Sequence, residues 1–399
     1  MRGVPVRWIA VGIFVLSSAL NLLDRQILAA LAPAIQSEFH LSARDYGLIV
    51  AAFSLAYALS APFAGLFIDR VGLNAGSSLA VFFWSCAGVA TGLMSGLRSL
   101  VACRAALGMA EAGGIPAAAK SFAIYLPPRE RALGSALSQV GLTIGGVGAP
   151  LVAAWAAVHY GWRSAFLFTG VLGFLWIPLW LLTARRAPRY EEPKPSASLS
   201  ASGLARDPRL AGLIVANMLL MTVYSLWVNW TTIYFVRVFG MSQNDANRQL
   251  AWIPSLAASA GGLFGGWLAL RWIGRGTELI AARLRVILLA SLALLSTAAL
   301  PWAPGPLAAT ALICFSYFAC VAASVNVYAL PLDLFGAGRA AFAVSTLTGA
   351  YGLMQVFFSP LTGALIDRHG FPPVCLLVSV LPLVSWAVIR GTVNLRPAP

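Results

Sequence analysis

Charge is what this sequence lacks most. Only 10% of its 399 residues are Asp, Glu, Lys or Arg, where a soluble globular chain carries about 25%. With 59% apolar residues and a mean hydropathy of +0.81, a soluble enzyme, a nucleic-acid binder and a disordered tail are excluded as descriptions of the whole chain. Histidine is nearly absent, with 3 residues, and there are 5 cysteines. Cys86, Cys103, Cys314, Cys320 and Cys375 are odd in number, lie inside apolar runs and have no metal-type spacing. They are expected to be small apolar core residues, and neither a metal nor a cofactor is expected.

What the sequence has instead is long apolar runs. Twelve windows, 7–31, 46–68, 74–95, 98–121, 131–156, 163–184, 209–236, 247–272, 283–302, 306–331, 339–365 and 371–391, each suit a membrane-crossing helix. At 1.5 Å per residue, about 20 residues cross the hydrocarbon layer. Arg2 and Arg7 before the first run give it the look of a signal peptide. No small-residue cleavage site follows, and Asp24 and Arg25 interrupt the run, so a retained first span is expected. The expected fold is therefore all-α and integral to the membrane. Residues 1–184 form one six-helix half and 209–399 the other, joined by a charged, Ser/Pro-rich linker at 185–208.

The net charge of +14 reports orientation rather than a nucleic-acid partner. With the N-terminus inside, 18 basic residues fall on inner loops and tails, 6 on outer loops and 3 within spans. That bias places both termini in the cytoplasm. The two halves also repeat. G-L-F-I-D-R-V-G at 65–72 returns 201 residues later as G-W-L-A-L-R-W-I-G at 266–274, with Leu270 in place of Asp69. Paired six-helix halves are a common plan of secondary transporters.

Five ionisable residues lie within spans of the first half: Asp24 and Arg25 in helix one, and Arg104, Glu111 and Lys120 in helix four. A lone charge near the bilayer centre costs about 2.5–3.5 kcal/mol, so these must meet one another or water. Helix lengths place Arg104 level with Asp24 and Arg25, and Glu111 about 10 Å deeper. Lys120, near the inner end, is expected to snorkel. Three cations and two carboxylates sum to +1, rising to +2 when one carboxylate is protonated. An anion would then bind better with a proton bound, which is coupling in the symport direction. Arg25 is the expected anchor of the anion, because a guanidinium grips a carboxylate with a fork of hydrogen bonds. Arg104 is expected to hold the two carboxylates.

Other polar residues are open to a ligand or a packing role. Ser54, Tyr57 and Ser60 are read as one helix face, and Gly141, Gly145, Gly148 and Pro150 as a close-packing stripe. In the second half the candidates are Tyr224, Asn229, Ser324, Asn326, Tyr328, Thr346, Tyr351 and Gln355. Asp69 and Arg70, at the inner end of helix two, are candidates for gating; Asp69 could pair with an arginine or cap a helix.

The strings N-L-L-D-R-Q (21–26), G-L-F-I-D-R-V-G (65–72), R-A-A-L-G-M-A-E-A (104–112), P-A-A-A-K (116–120), P-P-R-E-R-A (127–132), G-W-R-S-A-F (161–166) and G-F-L-W-I-P-L-W (173–180) resemble the major facilitator superfamily. They resemble most its anion:cation symporter family, and within that the bacterial hexuronate and sugar-acid transporters. The resemblance implies a major facilitator fold and proton-coupled import across the inner membrane. Asp24 and Glu111 would be the protonatable pair, Arg25 the substrate contact, Arg104 its partner and Tyr57 a cavity-lining residue. Asp69 and Arg70 would form the cytoplasmic gate, although Leu73 and Asn74 stand where basic residues are usual. The implied partners are a small organic anion, protons and the lipid bilayer, with no nucleic acid, and the protein would be a monomer. An exchanger or efflux protein for organic phosphates, lipids or drugs is the alternative within transport, and a non-transporting receptor a third reading. No nucleophile–base or metal constellation points to an enzyme.

Overall fold

Apolar runs with few breakers fold as helices, and a computed structural model describes residues 6–127, 130–188 and 204–393 as an all-helical bundle. The expected linker falls largely on 189–203 and, like Arg2, Arg129 and Arg396, lies outside the described residues. The first half holds α1 (Val6–Phe39), α2 (Ala43–Val71), α3 (Leu73–Gly92), α4 (Leu97–Glu111), α5 (Gly114–Tyr125), α6 (Arg131–Tyr160) and α7 (Trp162–Arg186). Then come α8 (Pro208–Phe239), a short α9 (Gln243–Asp245) that runs through a π-turn into α10 (Ile253–Ile273), α11 (Leu279–Leu294), α12 (Pro306–Phe335), α13 (Ala337–His369) and α14 (Pro372–Val393).

Among the described residues eleven helices are long and apolar enough to cross a membrane. The expected fourth span is absent from that set because it is broken. The chain turns at Ala112 and Gly113, directly after Glu111. Two glycines weaken the helix there, and Pro116 has no N–H to give the carbonyl of Ala112. Broken in this way, α4 and α5 together still occupy the place of the twelfth segment.

Two compact units emerge. One contains the helices up to Arg186 together with Met241–Trp252; the other contains α8 and everything from Ile253 onward. The first is built around aromatic packing: the Trp176 and Trp180 rings stack at 5.7 Å, and Phe14 meets Trp180 edge-on at 5.0 Å. Trp176 donates to the Ile13 carbonyl at 2.6 Å, so its polar edge is satisfied inside the core. Gly145 brings α6 against α1. A Cβ there would stand 2.2 Å from the Ala19 carbonyl, so the glycine stripe is a packing device.

Residues 241–252 close the first unit at the end of α1. Asn247 donates to the Ala30 carbonyl at 2.7 Å, and the Ala34 N–H donates to Gln243 Oε1 at 2.8 Å. Those two backbone groups are an i, i+4 pair beside Pro33, where the ring loosens the ladder. The second unit satisfies its own aromatic edges: Trp227 donates to Ser316 at 2.9 Å and Tyr234 to the Leu300 carbonyl at 3.0 Å. Its charges sit near helix ends in pairs, Arg283 with Asp333 and Arg237 with Asp367. Asp207 caps α8, and the Arg209 side chain beside it holds its carboxyl below the usual carboxylate range.

Candidate functional site

The buried charges of the first unit come together, but not at the expected levels. Helix α1 continues to Phe39, beyond the window read from hydropathy. Asp24 therefore lies about 22 Å from the C-terminal end of α1, and Glu111 lies about 21 Å from the N-terminal start of α4. Arg25 and Glu111 are level, and they pair: Arg25 Nε donates to Glu111 Oε2 at 2.5 Å. The expectation had Arg104 at that level and holding the carboxylates. Instead, Arg104 Nη2 donates to the Arg25 carbonyl at 3.4 Å, and among the described residues no carboxylate lies within ion-pair distance of Arg104.

Burial makes this cluster unusual. Glu111 is 0% exposed, and Asp24 and Arg104 are each 4% exposed. Such groups are retained against a large desolvation cost. Several of their polar atoms also have no partner: Asp24 Oδ1, Glu111 Oε1, Arg104 Nε and the Asn21 amide nitrogen. Native interiors leave few polar atoms unpaired, so this set is a place where a proton, water or ligand atom can be received.

Helix α2 supplies the wall. The Arg25 guanidinium lies over the rings of Phe53 and Tyr57, 5.0 and 4.8 Å from their centroids. Arg104 also lies over the Phe53 ring, at 5.4 Å. Gly108 allows this approach, because a Cβ there would stand 2.3 Å from the Phe53 carbonyl. Tyr57 thus lies beside the charged cluster. Ser54 and Ser60 are not. Ser54 donates to the Val50 carbonyl of its own helix at 3.1 Å, and Ser60 lines an apolar groove between α2, α3 and α4. Three-residue steps drift around a 3.6-residue helix, and the shared face is lost.

Lys120 does not merely snorkel. Its Nζ donates to the Ile68 carbonyl at 3.0 Å and pairs with Asp69 Oδ1 at 2.8 Å. The partner of Asp69 is therefore a lysine of α5, not an arginine, and Lys120 leaves the charge sum of the central cluster. Arg25, Arg104, Asp24 and Glu111 sum to zero, rising to +1 on one protonation.

Phe53, Asn21 and Thr169 have no role in the reading of the sequence. Asn21 faces the Glu111 carboxyl and Thr169 faces Asp24. Their spacing carried a partial signal, since Asn21 stands one turn from Asp24 and Arg25, and Phe53 one turn from Tyr57. No pattern could have selected Thr169, which comes from α7.

In the second unit Gln355 is a hub. Its Oε1 accepts from Ser225 and from Ser359 (2.9 Å), and its Nε2 donates to the Tyr351 hydroxyl at 2.8 Å. Tyr224 meets Tyr317 and Tyr351 edge-on, at 5.3 and 5.9 Å. Tyr224 and Gln355 are thus brought together, with Tyr317, Tyr351, Ser225 and Ser359 around them. Asn326 stands apart. It is fully buried and gives its amide nitrogen to the Gly265 and Ala322 carbonyls, at the seam of α10 and α12. Asn229 and Thr346 donate back to their own helices, to Ser225 and Phe342.

A two-unit helical bundle with a charged cluster inside its first unit and a broken helix beside that cluster defines a polytopic membrane transporter. Residues 14–346 match the model of the Major Facilitator Superfamily, and the chain belongs to that family. It is similar to the hexuronate transporter of Escherichia coli K12, 29% identical over 98% of this chain and 95% of that one. It is also similar to the galacturonate transporter of Dickeya chrysanthemi, 29% identical over 66% of this chain and 81% of the relative. In fold it is similar to a crystal structure of a bacterial homologue of the human lysosomal transporter Spinster, with TM-score 0.79, 22% identity and 98% and 97% coverage. The protein is a transporter and not an enzyme.

Proposed function

We propose that this protein carries a sugar acid, of the hexuronate class, into the cell together with a proton, by alternating access. The observation that carries the reading is the Arg25–Glu111 pair: a buried carboxylate occupies the guanidinium that an anionic substrate would need. Protonating Glu111 removes the charge that holds Arg25, and the freed guanidinium takes the substrate carboxylate. Proton and anion then favour each other's binding by the same factor. Asp24 is the second carboxylate, close enough to Glu111 for the two charges to repel, so loading one proton eases the arrangement of both. The names of the similar transporters support the substrate class, and the chemistry of the first unit agrees, with a guanidinium fork for the carboxylate. Asp69, with Arg70 beside it and Lys120 as its partner, serves as a cytoplasmic gate latch. The bacterial relatives support an inner-membrane location, and the basic-residue bias supports an orientation with both termini in the cytoplasm.

Uptake of D-galacturonate and D-glucuronate by proteoliposomes, with and without an inward proton gradient, tests this. Accumulation is expected to follow the gradient and to be lost in Asp24→Asn and Glu111→Gln. Gradient-driven accumulation at wild-type rates in both variants would overturn the coupling. Exchange that runs only against a preloaded anion would favour an antiporter.

A further inference from the structure

One buried amide beside the proton-coupling pair has no assigned work. Asn21 lies one turn before Asp24 and Arg25 on α1 and is 9% exposed. It faces the Glu111 carboxyl closely enough to act on its charge, while its Nδ2 stands just outside direct hydrogen-bond geometry in this conformation. Across from it the Glu111 Oε1 atom is also unpaired, while Oε2 is taken by Arg25. Asn21 packs where α4 gives way to α5: a Cβ at Gly114 would be 3.6 Å from Nδ2, so Gly114 offers it only backbone.

The chemistry of the neighbours singles this amide out. An ionised carboxylate only accepts hydrogen bonds, whereas a protonated one must also donate. The other groups around Glu111 are Arg25 and Arg104, which only donate, and Asp24, a like charge. Tyr57 and Phe53 of α2 lie against the arginines, as does Tyr46, and Thr169 of α7 lies against Asp24. Lys120 of α5 is committed to Asp69. Asn21 is the neutral group that can donate or accept, simply by turning its amide over.

We propose that Asn21 is a positioning residue for proton coupling, turning its amide so that Glu111 Oε1 has a donor when ionised and an acceptor when protonated. The inference rests on the proton-coupling reading above. A hydrogen bond to a charged oxygen is worth more than one to a neutral acid, so losing the amide favours the protonated state. Substrate binding in Asn21→Leu should therefore persist to higher pH, its midpoint moving up by about one pH unit.

The experiment is thermal stabilisation of the purified full-length chain by D-galacturonate across a pH series. It is run on the wild type, Asn21→Leu and Asn21→Ser, whose hydroxyl keeps a donor and an acceptor. The expected result is an upward shift in the Leu variant and a midpoint near wild type in the Ser variant. If Leu gives no cooperative ligand-free melt, Asn21→Ala replaces it with the same expected shift. A pH-dependent wild type with an unmoved Leu or Ala variant overturns the role of Asn21 alone, as does a Ser variant that shifts as far as Leu. A wild type whose binding does not vary with pH overturns the coupling reading and this inference with it.

Discussion

The two units treat polarity in opposite ways. The first buries Asp24, Arg25, Arg104 and Glu111 within its spanning segments, with several polar atoms unpaired. In the second, charges pair near helix ends, and the buried polar groups are neutral: hydroxyls and the amides of Asn217, Asn326 and Gln355, the last a hub for three hydroxyls. Under the proposed function, a site that takes up a proton and one that recognises hydroxyls need different materials. Charges change strength with a proton; a neutral network holds its pattern whatever the pH.

The harshest way to break that contrast is Arg25→Ala. It strands a fully buried Glu111 carboxylate and is expected to abolish uptake and to cost about 3 kcal/mol or more of stability, read by thermal denaturation. Adding Glu111→Gln should recover much of the stability and none of the gradient-driven uptake. A double variant as unstable as the single one would mean the pair is not what the core depends on.

Next in size are two matched glycines. A Cβ at Gly108 would press the Phe53 carbonyl, and one at Gly261 would press the Phe318 carbonyl at 2.1 Å. Valine at either position should cost about 1–3 kcal/mol. Only Gly108→Val should also alter the pH dependence of uptake, because Phe53 carries both guanidiniums. Equal pH profiles would uncouple the aromatic wall from the charges.

Gln355→Leu sharpens the other side. It leaves Ser225, Ser359 and Tyr351 without their shared partner, and the expected effect is about a tenfold rise in KM with an unchanged pH profile. A changed pH profile would place the proton path partly in the second unit.

The smallest stability effect belongs to Lys120→Ala. Its partner Asp69 is mostly exposed, so the pair is worth less than about 1 kcal/mol. Turnover should nevertheless slow, with substrate affinity unaltered, if the contact of Lys120 with Ile68 and Asp69 latches α5 to α2. Unchanged turnover would reduce Asp69 to a marker of topology.

Composition and hydropathy determined an all-α membrane protein, because burial in lipid leaves long apolar runs as its trace, and the repeat of 65–72 at 266–274 marked its paired halves. They also determined which residues must meet: a charge within a span has few places to go, and Asp24, Arg25, Arg104 and Glu111 were legible on that ground. Only the tertiary structure decided who pairs with whom. The length of α1 beyond its hydropathy window set the level of Arg25. Lys120 found Asp69 through the contact of α5 with α2, and Thr169 reached Asp24 from α7. Partners brought together from separate helices leave no period in the sequence, since depth and rotation of each helix are fixed by packing against its neighbours and not by its own residues.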